Sequence, residues 1–475
     1  MNKVIYKIKK IPKPLLSSVI YMMIVFFQSG INLITTPIFS RLLNTQEFGV
    51  TTTYNSWFSI LSILITLNLS SGVFNNALID FYTERKKVMS SFFSIGIVNS
   101  ILILVFYLFF KNTINSLIEL PTILIIFMIV QCLLTSAWSF FLAKEKFDYK
   151  FLKPLIFTFI IFILNPIFGY AGIIIFPKYK AIAKIIGCNV PSFIVYFILM
   201  IYIIFKGKKI FDKRYWKYAL SFNIPLLPHY LSGILLASSD RIMIQKMINF
   251  ETAGIYGIAY QLSLVVQGVF TGINSALIPY TYKKMKVNDI YSLRKYANIM
   301  MYIVLGVCIC VTLLGPEIIK VLAPYEYYSA MYVIPPIVLG LFYSFVASIF
   351  CNLEFYTKKT KFVTFATCLG AFINIFLNIV LIPKFGFIAA GYTTFIGYVI
   401  IMILHYCYLK KLQLLYIYDL KSIFLICITS FIVITCILFI YDFILLRIII
   451  FILLFLLILI SKNKIIDSIK QIKED

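Results

Sequence analysis

The sequence predicts an all-α polytopic membrane protein of about fourteen transmembrane helices, set out as two parallel-repeat six-helix lobes followed by two C-terminal helices. Three observations predict it. Apolar residues make up 61% of the 475 and charged ones only 13%, with a mean hydropathy of +0.97, whereas soluble domains lie near half apolar and a quarter charged. Apolar stretches recur along the whole chain at the ~20-residue length that crosses a bilayer as a helix. Basic residues crowd the loops of one side, 33 of the 43 Lys and Arg, which is the positive-inside bias.

The apolar segments fall at roughly 15–40, 48–78, 88–110, 120–143, 151–176, 181–205, 216–239, 253–280, 293–314, 330–356, 361–382, 387–409, 419–440 and 443–461. They are read as helices because no alternating pattern is present, and backbone groups in lipid must be satisfied within the segment. The first follows a basic stretch but is too long for a signal peptide and lacks a small-residue cleavage site, so it is read as a retained first helix. The basic loops are 3–13, 85–87, 144–153, 206–217, 283–295, 358–361, 410–421 and the tail. This pattern predicts that both termini are cytoplasmic. Lys178, Lys180 and Lys184 depart from it, being external, and are left as candidates for lining a pathway.

The net charge of +25 is therefore first a topology signal. No soluble domain is left to bind nucleic acid, and attraction to anionic membrane lipids accounts for the basic loops. Nine cysteines without a C-x-x-C, and two histidines, suggest neither a metal nor a cofactor.

The largest break in composition is the basic loop after six helices. It gives an N-lobe at 1–205, a cytoplasmic linker at 206–217, a C-lobe at 218–412, and two further helices with a tail at 413–475. Arg41-Leu-Leu-Asn44-Thr-Gln-Glu-Phe-Gly49 matches Lys246-Met-Ile-Asn249-Phe-Glu-Thr-Ala-Gly254 at an offset of 205, as expected of an internal repeat. An even number of helices per lobe makes the repeat parallel, about an axis along the membrane normal.

The same offset pairs Asn55 with Tyr260, Ser62 with Gln267 and Thr66 with Thr271. In the eighth helix Tyr256, Tyr260, Ser263, Gln267, Thr271 and Asn274 recur at helical spacing and form one polar stripe. Such a stripe must face other helices or water. With Gln28, Asn32 and Thr35 of the first helix and His229 and Asp240 of the seventh, it outlines a cleft lined by helices one, two, seven and eight. The competing reading is that these groups bond neighbouring helices; for His229, a lone histidine, a satisfied bundle residue is the plainer role. Arg41, Arg241 and Lys246 sit at corresponding ends of helices one and seven, with Asp240 beside Arg241. Arginine suits a phosphate because its planar fork donates two parallel hydrogen bonds, while snorkelling or helix orientation is the alternative role for these cations.

The succession Pro225-Leu-Leu-Pro228, Ser239-Asp240-Arg241, Ala253-Gly254-Ile-Tyr256 and Ala259-Tyr260-Gln261-Leu262, with the Arg41 motif and Ile382-Pro383-Lys-Phe-Gly386, resembles the bacterial polysaccharide flippases of the Wzx type. These belong to the superfamily that also holds the MATE drug exporters and the peptidoglycan lipid flippase. The resemblance runs over essentially the whole chain and rests on order, spacing and helix count. It implies an alternating-access fold in the bacterial inner membrane. It also implies a cargo of undecaprenyl-pyrophosphate-linked O-antigen or capsule repeat units, moved to the periplasmic leaflet. Polymerase and chain-length proteins of the same pathway are the implied partners. Physics agrees, since a pyrophosphate at mid-bilayer costs several kcal/mol or more per charge and needs a hydrated cationic path.

Three other readings compete: a flippase for another lipid-linked precursor, a MATE-like drug exporter, and a membrane glycan polymerase. Many drug exporters of this superfamily carry a carboxylate in the first helix, and this chain has none there. A polymerase would need a sizeable external loop and an acid–base constellation. The expectation is a transporter without catalytic activity.

Overall fold

The computed structural model describes residues 13–453 and 456. Among them every regular element is a helix, and the chain divides into two compact units, Met1–Gln245 and Lys246–Asp475. The protein is an all-α polytopic membrane protein: eleven helical segments of the described residues are long and apolar enough to cross a bilayer.

The first unit is built from α1 (Lys13–Leu42), α2 (Thr45–Thr66), α3 (Gly72–Asp80), α4 (Arg85–Phe109), α5 (Lys111–Ile118) and α6 (Thr122–Phe147). It continues through α7 (Leu152–Ile175), α8 (Lys180–Gly187), α9 (Val190–Gly207), α10 (Lys213–Asn223) and α11 (Leu227–Met247), whose last residues pass the boundary between the units. α2 is not among the eleven, because its threonines and serines dilute its apolar character.

Three of the expected segments prove to be divided, 181–205 among them, at the Cys188–Asn189 turn between α8 and α9. The 48–78 stretch stops at Thr66, where Leu67 and Asn68 enter the left-handed region at φ 49° and 52° and turn the chain into α3. The 216–239 stretch is interrupted at a 3-10 turn, Ile224–Leu226, whose Pro225 lacks the amide hydrogen that a continuous helix requires. A hydropathy window averages over all these breaks.

Lipid is as apolar as leucine, so the interior of this unit is held by dispersion and close fit. Phe74 meets Phe140 edge to face with centroids 5.0 Å apart, and Trp138 stacks on Tyr196 at 5.7 Å. Tyr215 of α10 and Phe92 and Phe93 of α4 complete this cluster. Small residues let backbones approach: a Cβ on Gly187 would lie 2.5 Å from the Phe168 carbonyl, and one on Gly172 2.8 Å from that of Ala183. At one end α10 is bound to the α3–α4 turn by an ion pair, Arg214 to Glu84 at 2.8 Å, and by a hydrogen bond that Tyr218 donates to Asp80 at 2.5 Å.

The second unit holds α12 (Phe250–Lys286), α13 (Ile290–Leu313), α14 (Gly315–Leu322) and α15 (Ile334–Tyr356). α16 (Thr360–Phe385), α17 (Ile388–Lys411), α18 (Leu420–Phe439) and the short apolar α19 (Ile444–Leu453) follow. α12 has 37 residues, about 55 Å at 1.5 Å per residue, well over the ~30 Å hydrocarbon core. Its far end, with Lys283, Lys284 and Lys286, therefore projects past the apolar layer. α15 is the axis of this unit: 89% of its apolar stretch is buried, wrapped by α12, α13, α17 and α18. Arg447 on α19 reaches back to α14, where its guanidinium meets both oxygens of Glu317, one contact at 2.7 Å, and donates to the Leu313 carbonyl at 3.0 Å.

Candidate functional site

In the first unit the site begins where α1 gives way to α2. Asn44 caps α2, accepting from the Glu47 amide at 2.7 Å, while the Glu47 carboxylate accepts from the Asn44 amide at 3.0 Å. This reciprocal pair fixes the turn and engages the only carboxylate in the Arg41 motif. Arg41 is exposed in the last turn of α1 and bonds the Pro37 carbonyl at 2.7 Å. Two of the three lysines that broke the charge rule lie against the same turn. Lys180 donates to the Leu42 carbonyl at 3.3 Å, and the Lys184 ammonium lies 5.2 and 5.6 Å from the ring centres of Phe39 and Phe48. Cations suit this place because the C-terminal carbonyls of α1 carry the negative end of its dipole. Lys178 is exposed next to them in sequence.

α2 presents two polar sides. On one, Tyr54 donates to Gln131 at 2.6 Å, Gln131 to Asn189 at 2.8 Å and Asn189 to the Ile185 carbonyl at 2.7 Å, a buried chain joining α2, α6 and the α8–α9 junction. On the other, Asn55 is exposed, and Ser59, Ser62 and Thr66 follow it half-buried, each returning its hydroxyl to a carbonyl of its own helix. Such hydroxyls keep acceptor capacity for a polar cargo. Thr35 of α1 is buried and bonds the Ile31 carbonyl. The side chains of Gln28 and Asn32 lie outside those described.

On α11, His229 is half-buried against Tyr230 with ring centres 5.7 Å apart. Asp240 is buried, and half-buried Arg241 donates to the Ala237 carbonyl at 2.7 Å.

In the second unit Lys246 is exposed, and Asn249 caps α12 by accepting from the Thr252 amide at 2.8 Å. The α12 stripe splits. Tyr256 and Ser263 are buried, Tyr260 and Gln267 half-buried, and Thr271 exposed. Asn274 turns to α15, accepting from Asn352 at 3.0 Å and Ser348 at 3.4 Å. That residue ties two helices of one unit together.

Sequence reasoning missed two buried polar groupings in this unit. Asn374 and Asn378 of α16 meet Thr393 and Thr394 of α17, with Asn374 donating at 3.3 and 3.2 Å. The Asn-x-x-x-Asn spacing inside an apolar helix was the available signal. Glu354 of α15 and His405 of α17 form a pair at 2.7 Å, both essentially without solvent exposure. Glu354 is the one charged residue of α15. Among the described residues no three His, Cys, Asp or Glu side chains come together as metal ligands.

In the first unit the end of α1 offers cations and α2 a row of hydroxyl and amide groups; in the second, α12 carries half-buried Tyr260 and Gln267 and exposed Thr271. A family model described as polysaccharide biosynthesis protein matches residues 15–285, more than half of the chain. Among curated proteins, the Lsg locus putative protein 1 of Haemophilus influenzae is 22% identical over 391 residues, 78% of this chain and 94% of that protein. An uncharacterized membrane protein of Methanocaldococcus jannaschii is 26% identical over 215 residues, covering 44% of this chain and 42% of that one. Among solved structures, the lipid II flippase MurJ in an inward closed conformation superposes with a TM-score of 0.69 at 18% identity, covering 95% of this chain and all of that one. An inward-facing multidrug resistance MATE transporter gives 0.62 at 11% identity, with 82% and 95% covered.

Proposed function

The chain belongs to the polysaccharide biosynthesis protein family, and from that premise we propose that it is a flippase for undecaprenyl-pyrophosphate-linked oligosaccharide repeat units. It carries O-antigen or capsule units from the cytoplasmic to the periplasmic leaflet by alternating access, with both termini in the cytoplasm, and performs no chemistry on them. The observation that carries this reading is the cationic corner of Arg41, Lys180 and Lys184 on a fold shared with the lipid II flippase. A pyrophosphate is too costly to bring into hydrocarbon unpaired, and arginine offers it two parallel donors. The serine, threonine and asparagine row of α2 and the stripe of α12 take the sugar hydroxyls, while the lipid tail stays in the bilayer. In this reading Arg241 and Lys246 supply the same service as Arg41 from the repeat-related position.

Each charge-assisted contact is worth roughly 1.5–3 kcal/mol, so losing one weakens binding about tenfold to a hundredfold. The test is surface-glycan display, per correctly inserted molecule, in a flippase-deleted strain carrying the Arg41→Ala/Arg241→Ala variant. Display near zero is expected, and near-normal display would rule out these cations as the binding site. In liposomes the purified chain should move a lipid-linked oligosaccharide without changing its mass; a longer glycan formed by this chain alone would make it a polymerase.

A further inference from the structure

We propose that Glu354 and His405 form a proton-binding site that couples protonation to the separation of α15 from α17 near the 357–359 turn. The inference concerns the protein's own conformational equilibrium and stands whichever cargo is carried. His405 Nδ1 lies 2.7 Å from Glu354 Oε1, with 2% and 0% of the two side chains exposed. Glu354 Oε2 is buried and has no hydrogen-bond partner among the described atoms. An ionisable pair inside a membrane domain is costly to maintain and is a functional site by default.

Charge balance fixes what the pair can hold. With one proton shared between Oε1 and Nδ1 the pair is neutral overall, whether written as carboxylate with imidazolium or as carboxylic acid with imidazole. Removing that proton leaves a buried net negative charge whose second oxygen is unbonded; adding another leaves a buried positive one. Both are expensive in a dry interior. The closed arrangement therefore holds one proton, and release requires water to reach the pair.

The lysine-bearing end of the helix is one turn away. Glu354 lies two residues before the end of α15, next to exposed Phe355, Lys358 and Lys359. The proton leaves to water at that turn, and the carboxylate it leaves behind is then hydrated.

Among the described residues no other charged side chain is hydrogen-bonded to either member of the pair. On α12, Lys284 is held by Asp289 at 2.7 Å. On α13, Arg294 donates to the carbonyls of Tyr416 and Ile417. Lys361 of α16 and Lys410 and Lys411 of α17 are exposed. Tyr418, before α18, donates to the Ile349 carbonyl at 3.0 Å. Phe362 packs its ring against His405, and Cys351 lies one turn earlier on α15, half-buried.

The test uses the full chain in lipid bilayers without cargo, stepped from neutral to mildly acidic pH. Infrared difference spectra should show a pH-dependent change in the carboxyl bands and in the imidazole, the carboxyl change being lost in Glu354→Gln. Amide exchange over 350–362 should change several-fold with pH in the wild type, beyond the intrinsic pH dependence seen in Glu354→Gln. If the single variant does not insert, Glu354→Gln/His405→Gln, with two neutral amides able to bond one another, replaces it. A wild type without a pH-dependent carboxyl signal overturns the proposal, as does a signal that survives in the variant or exchange that does not respond to pH.

Discussion

Replacing Glu317 by Gln should destabilise the second unit more than replacing Arg447 by Met, although the arginine makes more contacts. Arg447 is 3% exposed and Glu317 29%. Glu317→Gln leaves a buried guanidinium without a compensating charge, held by the Leu313 carbonyl and at most one amide oxygen. Breaking a buried pair by removing one partner costs about 3–5 kcal/mol, and the partial exposure of Glu317 places the expected loss near the lower end. Arg447→Met removes the buried charge itself, fills most of the space with an apolar chain, and leaves a carboxylate that water can reach. The cost expected is about 1–2 kcal/mol, the scale of a lost hydrogen bond plus imperfect packing. The double variant should resemble Arg447→Met. Chemical denaturation in detergent, followed by cysteine accessibility at buried Cys308 on α13, reads the order directly. Arg447→Met costing as much as or more than Glu317→Gln would refute the argument that desolvation of the arginine dominates this contact.

Three further outcomes follow from the geometry. Tyr54→Phe removes the donor to Gln131 and should cost about 1–3 kcal/mol, the penalty of an unsatisfied buried acceptor, measurable by thermal unfolding in detergent. Asn249→Ala removes the cap of α12 and should cost about 1 kcal/mol; Asn44→Ala, which also breaks the reciprocal bond with Glu47, should cost more, and equal losses would argue against the reciprocal bond's contribution. Asp289 sits between α12 and α13, and its hydrogen bond from Lys284 holds its carboxyl down to about 2, against an ordinary 3.8. A depressed carboxyl stabilises above its unfolded value and loses that contribution as pH falls from about 4 through about 2. The acid limb of the melting curve should therefore flatten in Asp289→Asn.

Most of the helical framework was legible because hydropathy over twenty residues is a direct record of lipid as solvent. What failed was punctuation within a segment. Leu67 turns left-handed without a glycine to announce it, and Pro225, quoted for its family resemblance, also ends a helix. The Arg41 motif was legible as a repeat, and both its asparagines cap helices. Lys180 was visible as an anomaly, but its acceptor, Leu42, lies 138 residues away. The Glu354–His405 pair could not be read at all, since each is a single polar letter and 51 residues separate them. Asn274 looked like its stripe-mates until the neighbouring helix was in view, because periodicity gives a side chain's direction but not what it meets.

The paired caps at Asn44 and Asn249 bear on how such a chain can change over time. Leucine, isoleucine, valine and phenylalanine are nearly interchangeable against lipid, so the apolar letters of a membrane helix drift with little penalty. A helix start is different: an asparagine that accepts from the amide three residues on has few substitutes. Sequence is thus held more firmly at such joints than along the spans, and comparison among distant members of the family should weight those joints over the long apolar runs between them.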